Sequence, residues 1–109
     1  MKTRVIVAAA AVLVPVLLVS GCSYWASRYE RSFEATLDGD TLQAVVERFG
    51  EPNVRETGAV PFTLYATRAC TAPCQVRLWW EHPIMKGVEA WSVEFANGRA
   101  IHKSHWVSP

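Results

Sequence analysis

Cys70 and Cys74 are separated by three residues, in a stretch that the flanking sequence places between two strands. If the chain is exported to an oxidising compartment, so close a pair favours a disulfide across the loop. A redox-active pair is more typical of C-x-x-C spacing at the start of a helix, one residue shorter than the spacing here. A zinc site needs further thiolates or imidazoles at suitable spacing. We therefore predict a structural Cys70–Cys74 disulfide, with redox and zinc chemistry as weaker alternatives, and no metal or other cofactor.

The three histidines, His82, His102 and His105, are the other candidates for chemistry. His102 and His105 are three apart in a predicted strand, so they point to opposite faces and cannot share a metal without a bulge. If the Asn97-Gly98 turn has two residues, His102 lies opposite Val93 on the apolar face, half-buried. No Ser or Cys is placed as a matching nucleophile, so we predict no catalytic residue and no enzyme.

The N-terminus has the layout of an export signal. Lys2 and Arg4 precede an apolar run over residues 5–19, which is short for a bilayer span of about 20 residues. The run ends in Leu18-Val19-Ser20-Gly21-Cys22. Small residues before a cysteine at this place resemble the lipobox of bacterial lipoproteins.

This resemblance implies that residues 1–21 are a signal peptide and that Cys22 becomes the lipid-carrying first residue. Two or more acyl chains make membrane attachment durable. Ser23 stands where an Asp retains similar lipoproteins in the inner membrane, which implies a periplasm-facing position at the outer membrane. The alternative is an uncleaved anchor helix in which Cys22 is incidental.

Length and charge narrow the remaining choices. Removal of the signal leaves 88 of the 109 residues, enough for one domain. Without Lys2 and Arg4 the chain has nine basic and ten acidic residues. This balance gives no basic face for nucleic acid and no polybasic attachment to anionic lipid. Phosphate-loop, dinucleotide and Gly-x-Ser-x-Gly motifs are absent from the sequence.

Local patterns predict the elements that would position these residues. Residues 41–49 read as a helix, with Asp40 or Thr41 as its cap and Gly50 and Pro52 at its end. Its apolar residues follow the spacing i, i+3, i+4, i+7: Leu42, Val45, Val46 and Phe49. Period-two alternation predicts antiparallel strands over four segments: 62–67, 76–81, 91–95 and, after the Asn97-Gly98 turn, 99–107.

Residues 22–36 are predicted to be a lipidated tether that leads into the domain at 37–109. Trp25, Tyr29 and Phe33 recur every four residues and share one face if the segment is helical. That face either docks on the domain or forms an aromatic patch for headgroups or a partner.

The order of these elements resembles the SmpA/OmlA (BamE-like) family of small outer-membrane lipoproteins. The resemblance rests on Gly39, Thr41, Val45, Gly50 and Pro52, with weaker support from the 91–95 strand and the turn after it. It implies an α+β fold, with one or two short N-terminal helices packed on one face of a three- to four-stranded antiparallel sheet, and no catalysis. The Cys70/Cys74 pair and the region before Gly39 depart from the family pattern.

Trp79 and Trp80 are adjacent in a predicted strand, so one indole enters the core and the other lies on the opposite face. If helices cover only one face, Trp79, Tyr65 and Arg77 form an exposed surface of residue types common at interaction hot spots. The alternative is that the N-terminal segment or the 82–88 loop covers this face. The predicted partner-binding residues are Trp79, Tyr65, Arg77, Trp25 and Tyr29.

Together these patterns predict a lipid-anchored, non-enzymatic binding module, acting as an accessory or stabilising subunit of an outer-membrane assembly complex. Its partners are the membrane, through acylated Cys22, and an envelope protein. Proteins that inhibit β-lactamases share the helix-on-sheet shape and bind through the open sheet face, so an inhibitor-like module is one alternative. A small-ligand or metal carrier using His82, His102 and the cysteines is the other.

Overall fold

The computed structural model of the chain describes residues 2–58, 61–66 and 68–109, with side chains from Pro15 onward except that of Leu18. The fold is α+β, as predicted, with all neighbouring strands antiparallel in the order β1-β2-β3-β4. Its elements are α1 (Lys2–Ala35), α2 (Leu42–Phe49), β1 (Val54–Thr57), β2 (Val76–Glu81), β3 (Glu89–Ala96) and β4 (Arg99–Val107).

Helix α2 forms where its local signals predict. The Thr41 hydroxyl accepts a hydrogen bond from the Ala44 N–H at 3.2 Å, which satisfies one of the free donors of the first turn. Gly50 ends the helix with φ at +96°, a conformation that favours glycine, and its N–H donates to Val46 O. Asp40, the other candidate cap, instead accepts from the Leu37 N–H and pairs with Arg48.

Both helices pack on the same face of the sheet. Trp25, Tyr29 and Phe33 of α1 lie against the core as one face, so the docking alternative for this helix is confirmed. Ring stacking joins the layers, with the Phe49 and Trp80 centroids 4.3 Å apart. The buried residues of this core are Tyr29, Val45, Phe49, Leu78, Trp80, Trp91, Val93, Phe95 and Ala100.

The predicted first strand over 62–67 is wrong. Residues 63–65 form a turn, in which the Tyr65 N–H donates to Phe62 O, and Thr67 lies outside the described residues. The edge strand is instead β1, paired with β2 from Val54↔Trp79 to Thr57↔Val76. Phe62, Tyr65 and Ala66 of the 61–66 segment pack on the second face of the sheet, so they are fully or partly buried without a strand ladder.

A β-bulge changes the predicted register of β4. The Asn97-Gly98 turn forms as predicted, with φ at +52° and +74°. The pairing then shifts between Glu94 and Phe95, so that His102 faces Glu94 and not Val93. One extra residue moves every later side chain to the other face. The prediction of a half-buried His102 is therefore wrong, because its side chain is 65% exposed on the second face.

In the parts of the chain that the structure describes, no helix combines the length and apolar character required to cross a membrane. Helix α1 continues without a break through the predicted boundary at Cys22.

Candidate functional site

The second face of the sheet does not carry the exposed patch predicted from sequence. Trp79 is 2% exposed, Tyr65 6% and Arg77 8%. The 61–66 segment, which carries Tyr65, packs on Trp79, with the Tyr65 ring 5.3 Å from that of Trp79 and 4.9 Å from that of Trp106. The prediction of a free partner surface at these three residues is wrong because this segment, unrecognised as a cover, fills the open face.

The Arg77 guanidinium donates hydrogen bonds to groups within the protein. Its Nε and Nη2 donate to the two carboxylate oxygens of Glu56 at 3.1 and 2.6 Å, and Nη2 also donates to Arg68 O at 2.7 Å. The Trp79 indole N–H donates to the same Glu56 carboxylate. The Arg77 guanidinium lies 5.4 Å from the Trp79 ring centroid. This is a buried, bidentate ion pair that fixes β1 to β2.

Tyr65 links the 61–66 segment to the C-terminal end of β2. Its hydroxyl donates to Glu81 Oε2 at 2.6 Å and accepts from the Gly87 N–H at 3.0 Å. Burial, reinforced by the hydrogen bond to the Glu81 carboxylate, raises the pKa of Tyr65 to about 12. The phenol is therefore a neutral structural donor at physiological pH.

Cys70 and Cys74 are joined as a disulfide, as predicted, with their Cα atoms 5.3 Å apart. Both are buried, and the Cys74 N–H donates to Thr71 O within the closed loop. The flanking chain is a loop and a strand and not the start of a helix. The disulfide thus closes the loop that leads from the 61–66 segment to β2.

A polar cavity of about 330 Å³ opens between this loop and the second face. His102 and Glu94 lie on its wall with Nε2 and Oε2 3.9 Å apart, beyond a hydrogen bond. Among the described residues, no group of three His, Cys, Asp or Glu side chains is placed to hold a metal ion. The polar residues that line the cavity are Arg68, Thr71, Arg77, Ser92, Glu94, His102 and Ser104.

The histidines are not brought together. His105 points to the helix side, where it stacks on Trp91 with ring centroids 4.9 Å apart, and its Nε2 lies 2.9 Å from Glu89 Oε2. His102 faces the opposite side, so the prediction that these two side chains point apart is confirmed. His82 is fully buried at the end of β2. A joint site of His82, His102 and the disulfide cysteines is therefore absent from the described residues.

His82 instead holds the residue predicted to carry lipid. Its Nδ1 accepts from the backbone N–H groups of Ile84 and Met85, at 3.2 and 3.0 Å. Because Nδ1 is an acceptor, the ring proton is on Nε2, which donates to Cys22 O at 3.1 Å. The buried imidazole thus links Cys22 to the loop after β2. Sequence analysis assigned His82 no such role, since the contact spans 60 positions of the chain.

The aromatic residues after Cys22 are mostly internal. Tyr29 is 7% exposed, and its ring lies 4.9 Å from that of Trp91, so the side chain predicted to meet a partner is buried in the core. Burial raises the pKa of Tyr29 above its ordinary value. Trp25 is half-buried between Tyr29 and the Arg28 guanidinium, at 5.7 and 5.0 Å. The helical stretch from Cys22 is therefore packed against the domain, with no flexible spacer between them.

An apolar groove of about 580 Å³ lies on the outer side of α2. Leu42, Val46 and Leu78 supply its apolar wall, and Arg55 lies at its rim.

In comparisons with known proteins, no family model, curated protein or solved structure matches the chain.

Proposed function

We propose that this protein is a lipid-anchored, non-enzymatic binding module at the bacterial outer membrane, facing the periplasm. Cys22 carries the acyl chains after removal of residues 1–21. The module acts as an accessory or stabilising subunit of an envelope assembly complex, of the kind served by the SmpA/OmlA (BamE-like) family. The observation that carries the proposal is the hydrogen bond from buried His82 to Cys22 O, which supports a mature chain whose first residue already lies on the folded domain.

Two further features support this proposal. The Cys70–Cys74 disulfide suits an oxidising compartment outside the cytoplasm. The helix-on-sheet arrangement agrees with the architecture that the family resemblance implies. Since Trp79, Tyr65 and Arg77 are buried, the partner must be met by other surfaces of the module.

The mechanism is positional. Each buried methylene contributes about 0.8 kcal/mol to membrane attachment, and multiple chains make it long-lived. Confinement near the membrane raises the effective concentration of the module at a membrane-bound partner. Contacts too weak to hold a freely diffusing protein then suffice.

Mass spectrometry of the protein extracted from membranes tests the anchor. We expect a mature chain that begins at Cys22 and carries a diacylglyceryl group on sulfur and an acyl group on its amine. Cys22→Ser should lose both and retain the signal. The double variant Cys70→Ser/Cys74→Ser is the matched control, since it removes the other thiols and should leave acylation unchanged. A soluble mature chain, cleaved elsewhere and with an unmodified Cys22, would contradict the proposal.

Membrane fractionation in an enteric host tests the location. The wild-type protein should enter the outer-membrane fraction, and Ser23→Asp should shift it to the inner membrane with acylation intact. Crosslinking in intact membranes then identifies the partner. Components of an outer-membrane assembly complex are the expected products, whereas an enzyme as the main product would replace the accessory role with an inhibitory one.

A further inference from the structure

Apolar side chains are exposed at the end of the sheet where Cys22 lies. Ile84 is 47% exposed, Met85 39% and Val88 37%. Val107, at the end of β4, is 54% exposed and pairs with Glu89, the residue after Val88. The Ser108 N–H donates to Val88 O, which ties the C-terminal end of the chain to the same loop. We call the loop 83–88 together with Val107 the end surface.

The end surface is fixed to the proposed lipid attachment point by contacts on both sides of His82. The N–H groups of Ile84 and Met85 bind one ring nitrogen, and Cys22 O binds the other. The loop and the residues around Cys22 therefore form one local unit.

The rigid connection decides what covers this surface. Helix α1 runs from Cys22 into the core, where Tyr29 is buried, so no flexible spacer separates the acylated residue from the domain. The acyl chains start at the sulfur and amine of Cys22 and must enter the bilayer. The end surface, which is joined to Cys22 through His82, then has the lipid surface as its neighbour.

We infer that the end surface lies against the bilayer and fixes the orientation of the domain, an inference that rests on the proposed acylation of Cys22. Apolar side chains that reach the boundary between headgroups and acyl chains gain burial there. Tyr24, 58% exposed and two residues after Cys22, is of the aromatic type enriched at this depth. Lys86, exposed in the same loop, meets the phosphate groups. The Asn97-Gly98 turn, at the opposite end of β3, points away from the membrane.

A fluorophore placed on the loop tests this orientation. Met85→Cys is labelled with an environment-sensitive nitrobenzoxadiazole group in acylated protein reconstituted into phosphatidylcholine vesicles. The sulfur of Cys22 is blocked by lipid and the other two cysteines are joined, so the new thiol is the reactive one. Leu37→Cys and Leu64→Cys are the matched controls, since both residues are exposed and apolar, at 66% and 49%, but lie outside the end surface.

We expect the label at position 85 to shift to the blue, brighten several-fold and be quenched by lipids spin-labelled near the headgroup, while the two controls stay as in water. Lys86→Cys provides a second position if Met85→Cys folds poorly. Equal quenching at 85 and 37, or none at 85 in protein whose acylation is shown by its mass, overturns this inference alone. An unacylated Cys22 overturns both this inference and the proposed function.

Discussion

At the scale of single residues, Glu56 accepts three hydrogen bonds on the second face of the sheet. Its carboxylate accepts from two Arg77 nitrogens and from the Trp79 indole, at 5% exposure. A buried ion pair contributes little net stability compared with apolar packing, because both charges lose their hydration. Removal of one partner is different, since it leaves the other charge buried without compensation.

We predict that Glu56→Ala lowers the free energy of unfolding by about 3–5 kcal/mol, because Arg77 then remains charged and unpaired. Urea denaturation measures this change. Glu56→Gln should cost less, since its amide oxygen still accepts from Trp79. The control is Glu94→Ala, which removes a loose contact to the exposed His102 and should change stability by at most about 1 kcal/mol. Equal effects of the two alanine variants would contradict a buried ion pair.

Tyr65 makes stability depend on alkaline pH. Its pKa is raised from 10.0 to about 12, first by burial and then by the hydrogen bond to Glu81, so the folded state holds the phenol proton more tightly than the unfolded chain. The stabilisation is complete below pH 10 and is lost as pH rises from about 10 to 12. Thermal melting across this range should show a fall that is smaller in Tyr65→Phe. A parallel fall in both proteins would count against this assignment.

At the scale of elements, local signals were sufficient for α2 and for the Asn97-Gly98 turn. The Thr41 cap, the apolar stripe and Gly50 all act within a few residues of one another. The Cys70–Cys74 bond is likewise predicted from the short spacing of the pair, together with the expectation of an oxidising compartment. These features need no knowledge of where the rest of the chain lies.

Elements that depend on distant partners could not be predicted in this way. Strand β1 has four residues and is defined by its ladder with β2 and by the Glu56–Arg77 pair, 21 positions apart. The alternation over 62–66 arises equally well from a turn that lies flat on a sheet. The bulge before His102 leaves no mark in the pattern of apolar residues, yet it decides which face the imidazole occupies.

The position of Trp79 between β2 and the 61–66 cover changes what its replacement should do. If Trp79 were exposed as the sequence predicts, Trp79→Ala would weaken a partner contact with little effect on stability. Because the ring is enclosed by Phe62 and Tyr65, we now expect a loss of about 3–5 kcal/mol, seen as a lower melting temperature. Leu64→Ala, at an exposed position of the same cover, should change stability by about 0.5 kcal/mol or less. An unchanged melting temperature in Trp79→Ala would show that the cover is not seated.

At the scale of the whole molecule, the sheet is covered by two helices on one face and in part by the 61–66 segment on the other, and the Cys70–Cys74 disulfide closes the loop that follows this segment. A small domain buries a limited share of its surface, so a second packed layer and a disulfide both help it to remain folded. Among the described residues, the surfaces left for contact are the ends and edges of the sheet, the groove beside α2 and the polar cavity on the second face. The candidate contact surface is therefore the end of the sheet near Cys22 and not the predicted patch on its second face.

The backbone at 39–41 protects part of the sheet edge at β4. Gly39 donates to Ala100 O, Ala100 donates to Asp40 O, and Thr41 forms a bridge with Arg99. The first part of β4 is therefore already occupied, and the bulge that follows interrupts the remaining edge. Open strand edges invite pairing between neighbouring copies. Contacts within the chain therefore prevent a neighbouring copy from pairing with the first part of β4.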